Sequence, residues 1–126
     1  MSSAQVRAYA GKAREYAEAA TAELDAGRRI AATSLAIHAA INAADAVCGA
    51  RVGQRAAGEN HDQVLAMLRT AGPDGLVVSK ELGRLLPLKT KAEYDPDDFA
   101  ASVAKQAVER AHRCVVIANR VAAATA

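Results

Sequence analysis

Residues 29–48 run Arg29-Ile30-Ala31-Ala32-Thr33-Ser34-Leu35-Ala36-Ile37-His38-Ala39-Ala40-Ile41-Asn42-Ala43-Ala44-Asp45-Ala46-Val47-Cys48, with no charged side chain between Arg29 and Asp45. A helix at the surface of a globular protein shows a polar face, so one without a charge over several turns is covered on both sides. The stretch is therefore expected to be the central helix, ending at Val47 or Cys48 with Gly49 as its stop signal. Composition says what surrounds it. Alanine fills 33 of 126 positions, Phe occurs once and Trp not at all. Abundant alanine, with few residues that favour strands, predicts an all-α protein whose helices approach one another closely.

Four more helices are read outward from this one, about five in all, in a single domain over residues 1–126. Upstream, Ser2 and Gln5 form a capping box, and Val6, Tyr9, Ala13, Tyr16, Ala20 and Leu24 then recur every three or four residues until Gly27. Gly11 inside this helix costs about 1 kcal/mol relative to alanine. Downstream, Gly49, Gly53 and Gly58 make residues 49–59 a loop, without the Gly-Lys-Ser/Thr ending of a phosphate-binding loop. Asn60 and Gln63, ahead of the apolar run Val64–Leu68, form a second capping box, so the third helix begins at His61 and stops at Gly72-Pro73. Leu76-Val77-Val78 is too short to found a sheet. Ser79 caps a short fourth helix carrying Leu82, Leu85 and Leu86, closed by Pro87. Asp95-Pro96-Asp97-Asp98 then starts the last helix, with Asp as cap, Pro at the first position and acids facing the dipole. That helix repeats Phe99, Val103, Ala107, Ala111, Cys114, Ala118 and Val121 before an alanine-rich tail.

A chain of 126 residues buries roughly two-thirds of its unfolded surface, enough for one core. The formal charge of +2 gives no global attraction to nucleic acid, so any such binding must come from a local patch. Cys48 and Cys114 lie in apolar helical stretches and in no metal or redox spacing, which suits buried thiols in a reducing compartment. The N-terminus has no apolar core of a signal peptide, and no run is expected to reach the length of a membrane span. A cytoplasmic protein with no membrane contact and no cofactor is expected.

Two sets of residues could carry chemistry. The first is His61, placed by its Asn60 cap at a helix start, where unpaired N–H groups and the positive end of the dipole favour anions and disfavour protonated imidazole. Arg55 lies six positions upstream, in a segment with no acid between Asp45 and Glu59. An Arg and a His converging on a helix start are suited to a phosphodiester, and equally to an ordinary surface turn. The second set is Ser34, His38, Asn42 and Asp45, spaced four, four and three along the central helix and so forming one polar stripe. Such a stripe joins an interhelical or subunit hydrogen-bond network, faces a ligand or RNA, or is simply exposed. His38, Asp45 and His61 have no dedicated ligand spacing, so no metal site is expected. His112, between Arg110 and Arg113, is read as a solvated residue without a role.

The block Ser34–Val47 with its His38-Ala39-Ala40 resembles the long second helix of HEPN domains. Asn60-His61-Asp62-Gln63-Val64 is similar to the His-x-x-Val start of the HEPN helix that follows. Leu85-Leu86-Pro87-Leu88-Lys89-Thr90-Lys91-Ala92-Glu93-Tyr94 resembles the block Leu-x-x-Leu-(Arg/Lys)-x-x-Ala-(Asp/Glu)-Tyr that precedes the last one. The three occur in the right order over residues 20 to 120. The resemblance implies an up-and-down helical bundle, usually a homodimer. It also implies a metal-independent endoribonuclease or RNA-binding protein of a toxin–antitoxin or defence system, with an antitoxin or a nucleotidyltransferase as a partner. The family's motif, an Arg followed after four to six residues by a His, falls on Arg55 and His61. Asn60, His38, Asn42 and Asp45 are the accompanying binding candidates. Other HEPN proteins are non-catalytic interaction or nucleotide-binding modules, the alternative for this chain.

Overall fold

The computed structural model describes residues 1–55 and 60–125. Among them the chain is all-α, with no strand, and folds into a packed helical bundle. Its helices are α1 (Ser3–Asp25), α2 (Arg29–Arg51), α3 (His61–Arg69), α4 (Gly72–Leu85), α5 (Lys89–Tyr94) and α6 (Ala101–Ala124). A single 3-10 turn, Leu86–Leu88, joins α4 to α5. Five of the helices have nine residues or more; α5 has six.

The central position of α2 follows from its covering: it packs against α1, α6, α4, α5 and α3. Small side chains make this possible, since Ala32, Ala36, Ala39, Ala40, Ala43, Ala44 and Ala46 are fully buried. The helix is long and apolar enough to cross a membrane by length and composition, which corrects the expectation that no run reaches that length. The bundle itself covers 67% of that apolar stretch. The same covering takes up much of the α2 surface within one chain, while α6 presents Val116 to solvent.

Several boundaries differ from the sequence reading. Gly49 does not stop α2, which continues to Arg51; a Cβ there would overlap Met1 Sδ and lie 3.2 Å from Val6 Cγ2, so the glycine serves a close approach. Of the expected 49–59 loop, residues 52–55 lie beyond the helix, and residues 56–59, Gly58 among them, lie outside the described residues. Gly72-Pro73 closes α3, which ends at Arg69, as expected, and it also opens α4. Gly72, at φ +77°, makes the left-handed corner after α3, and Pro73 sits in the first turn of α4. Leu76-Val77-Val78 and Ser79 are therefore helical, and Ser79 bonds the Leu65 carbonyl rather than capping a helix. Asp95-Pro96-Asp97-Asp98 forms a turn ahead of α6, in which the Asp95 carboxylate accepts from Asp97 N–H at 2.8 Å. The last helix starts later, at Ala101.

Polar ties fix the bundle. His112 Nε2 lies 2.7 Å from Thr21 Oγ1, whose hydroxyl also lies 3.2 Å from the Ala17 carbonyl. Through this contact His112, exposed as expected, also ties α6 to α1. Asn119 donates to the Ala10 carbonyl at 3.3 Å across the same interface. Asp74 at the start of α4 holds Arg51 of α2 and Arg120 of α6. Cys48 and Cys114 are free and buried, and burial pushes the thiols up to about 11 and about 12.

Glu81 is the one buried acid of α4, and it accepts from Arg110 at 3.0 Å and Arg113 at 3.1 Å on α6. Burial alone would raise its pKa; hydrogen bonds from the two guanidinium groups, and their charges, outweigh this and hold it below the usual value of 4.5. A carboxylate depressed in the folded state contributes stability that is present above its unfolded pKa and lost as pH falls through the folded one. Glu81→Gln is expected to destabilise the protein by about 1–3 kcal/mol at pH 7. The gap between wild-type and variant melting temperatures should close as pH is lowered from 5 toward 3. A gap that stays constant over that range would remove the ion-pair account.

Candidate functional site

Three distant pieces of chain meet on one side of α2. The last turns of α2 bring Ile41 and Asp45, and the segment just past its end brings Arg55. The first turn of α3 brings His61 and Val64. The chain then runs along α4, where Leu82 points inward, and through the Pro87 turn, which delivers Leu86 and Lys89. The result is a pocket of about 90 Å³ with an apolar floor and four polar groups, Asp45, Arg55, His61 and Lys89. That is room for about three waters. It is well below the roughly 300–1,000 Å³ of a pocket that encloses a drug-sized molecule. A phosphoryl or carboxylate group fits; a nucleoside does not.

Local sequence explains the placement of His61. The Asn60 side-chain oxygen accepts from the N–H groups of Asp62 at 3.0 Å and Gln63 at 3.3 Å, which is its half of the capping box and fixes where α3 begins. Asn60 thus acts as a cap. Its neighbour His61 is half-buried at the pocket, with its helix dipole directed there. Arg55 is positioned by two contacts. Its Nε donates to Asp45 Oδ2 at 3.2 Å, and its guanidinium sits 5.4 Å from the centre of the Tyr9 ring. The two partners differ in burial: the Asp45 side chain is 3% exposed, the Arg55 side chain 56%. A carboxylate so deeply buried needs its cation, whereas the cation still reaches solvent. Asp45 offsets Arg55, and Lys89 is the further cation among the described lining residues.

The structure thus brings Arg55, His61 and Asp45 together. It disperses the rest of the polar stripe. Asn42 is buried and returns its amide to its own helix, donating to the His38 carbonyl at 2.8 Å. The His38 ring stacks on Tyr16 of α1, with centroids 5.6 Å apart. Ser34 lines a wide, open groove of about 620 Å³ near the α1–α2 corner, beside Arg28, Arg29 and Asp98. There Arg28 is paired with Glu23 and Arg29 with Asp98, so the groove offers an anion less than its two arginines suggest. Lys89 is the site residue that sequence spacing did not single out. It lies 28 positions beyond His61, in the block resembling the HEPN signature, and only the turn at Pro87 turns it toward the pocket.

Compared with models of known protein families and with curated proteins, the chain matches none.

Proposed function

We propose that the protein is a HEPN-like, up-and-down helical ribonuclease of the cytoplasm, a metal-independent endoribonuclease acting on single-stranded RNA in a toxin–antitoxin or other defence system. One observation carries the reading: Arg55 and His61, with five residues between them in the chain, line the same small pocket with Asp45 and Lys89. In this scheme the RNA 2′-oxygen attacks the adjacent phosphorus while His61 takes its proton. The Arg55 guanidinium faces the phosphoryl oxygens as negative charge builds on them. The bond to the 5′-oxygen breaks, that oxygen takes a proton, and a 2′,3′-cyclic phosphate and a 5′-hydroxyl result. A two-fold homodimer supplies a second His and Arg, and hence an acid for the leaving oxygen.

The test is incubation of purified protein with single-stranded RNA in excess chelator. Cyclic phosphate ends are expected, and RNA that stays intact with protein that is folded and dimeric by light scattering rejects the reading. The second reading is a non-catalytic HEPN-type interaction or nucleotide-binding module, with an antitoxin or nucleotidyltransferase as partner. The engaged Arg55–Asp45 pair favours it, because Arg55 is already held by a buried acid. So do Leu76 and Val77, which α4 leaves exposed.

A further inference from the structure

We propose that Lys89 is a direct phosphate contact of this pocket, and that the pocket admits the phosphoryl group of a nucleic acid while its sugar and base stay outside. This rests on the reading of the Arg55–His61 pocket as the site.

Size is the first argument. About 90 Å³ bounded by Ile41, Val64, Leu82 and Leu86 accommodates a tetrahedral anion and little else. Charge is the second. Arg55 is committed through Nε to the buried Asp45, so the pair alone is close to neutral and a poor trap for an anion. Lys89 is the group that tips the lining positive. Its ammonium is a compact point charge with three donors, suited to a phosphate oxygen in any orientation, whereas the fork of Arg55 is fixed. Placement is the third. Lys89 begins α5 immediately after the Pro87 turn, so it brings to the pocket a cation from a part of the chain separate from the one that carries Arg55 and His61.

One group competes with this role. Lys89 Nζ lies 3.6 Å from Glu93 Oε1, one turn on, with both side chains about one-third exposed. An exposed pair of this spacing is weak, so an arriving phosphate displaces the carboxylate at little cost. The geometry therefore makes opposite demands of two neighbouring residues. Removing Lys89 weakens phosphate binding, and removing the charge of Glu93 strengthens it.

Titration of the full-length protein with inorganic phosphate, followed by amide chemical shifts, reads this directly. Wild type should show saturable shifts at His61 and Lys89. Lys89→Gln should weaken the affinity about tenfold or more, as expected for losing one charge-assisted hydrogen bond. Lys89→Arg should restore part of it. Glu93→Gln should tighten it about twofold. In RNA cleavage, Lys89→Gln should raise KM more than it lowers kcat. The proposal falls if phosphate affinity is the same in wild type and Lys89→Gln, or if Glu93→Gln weakens binding. Saturable, Lys89-dependent phosphate binding by a protein that cuts no RNA leaves the proposal standing and removes the ribonuclease reading. RNA cleavage with a KM that ignores Lys89 does the reverse.

Discussion

His61→Ala is expected to reduce RNA cleavage by about 10²–10⁴-fold, the range over which a positioned acid or base contributes. The fold should survive, because the cap that starts α3 belongs to Asn60 and the buried residues of that helix are Val64 and Leu68. Arg55→Lys should cost about 10²–10³-fold, since an ammonium does not reproduce the planar fork that meets two phosphoryl oxygens. The lysine would also inherit the contact with Asp45, leaving it little to offer substrate. The measurement is a single-turnover cleavage rate in chelator, with melting temperature as the control for folding. Equal degradation by wild type and both variants would mark the activity as a contaminant, and the interaction-module reading would then stand.

The second large effect concerns the α3–α4 corner. Gly75→Ala is expected to destabilise the protein by about 1–3 kcal/mol, the usual cost of overpacking a close contact. A Cβ at this position would overlap the Leu68 carbonyl oxygen and lie 2.7 Å from Ala71 Cβ. A backbone carbonyl does not swing aside as a long side chain does, so α3 must part from α4, carrying His61 with it. Gly11→Ala provides the contrast. Nothing lies within 4 Å of a Cβ built there, inside α1, and the change should stabilise by about 0.5–1 kcal/mol. Thermal melts of both variants decide it; a Gly75→Ala protein as stable as wild type would mean that the corner yields freely.

What the sequence discloses depends on the range of the forces involved. The charge-free stretch of α2 marks a covered helix because hydrophobic periodicity is a local signal, and the capping of α1 by Ser2 and Gln5 is equally local. Asn60 and His61 were legible for the same reason. Gly49 misled because its meaning depends on distant partners. It accommodates Met1 and Val6, whereas Gly72-Pro73 closes α3 as read and, beyond that reading, opens α4. The acids at 95–98 carry every cap signal, yet they are used in a turn before α6. Within the site, Arg55 and His61 share a short segment, so their proximity was open to inference. The Asp45–Arg55 ion pair and the arrival of Lys89 were not, since both arise from how α2 and the Pro87 turn are set in three dimensions.

The walls of the pocket are not equally secure. Its α2 side belongs to a helix with 14 buried residues, braced by α6 with ten. The remaining lining comes from the fully buried Leu82 of α4, from α3, which buries Val64 and Leu68, and from α5, which buries none. Regions with so few buried apolar contacts open at a fraction of the global unfolding free energy. The amides of α3 and α5 are therefore expected to exchange ahead of those of α2 and α6, which hydrogen–deuterium exchange would read. His61 and Lys89 ride on the part that opens, while Asp45 stays with the part that does not. Should the pocket take phosphate as proposed, opening of α3 and α5 would move His61 and Lys89 without the three long helices coming apart.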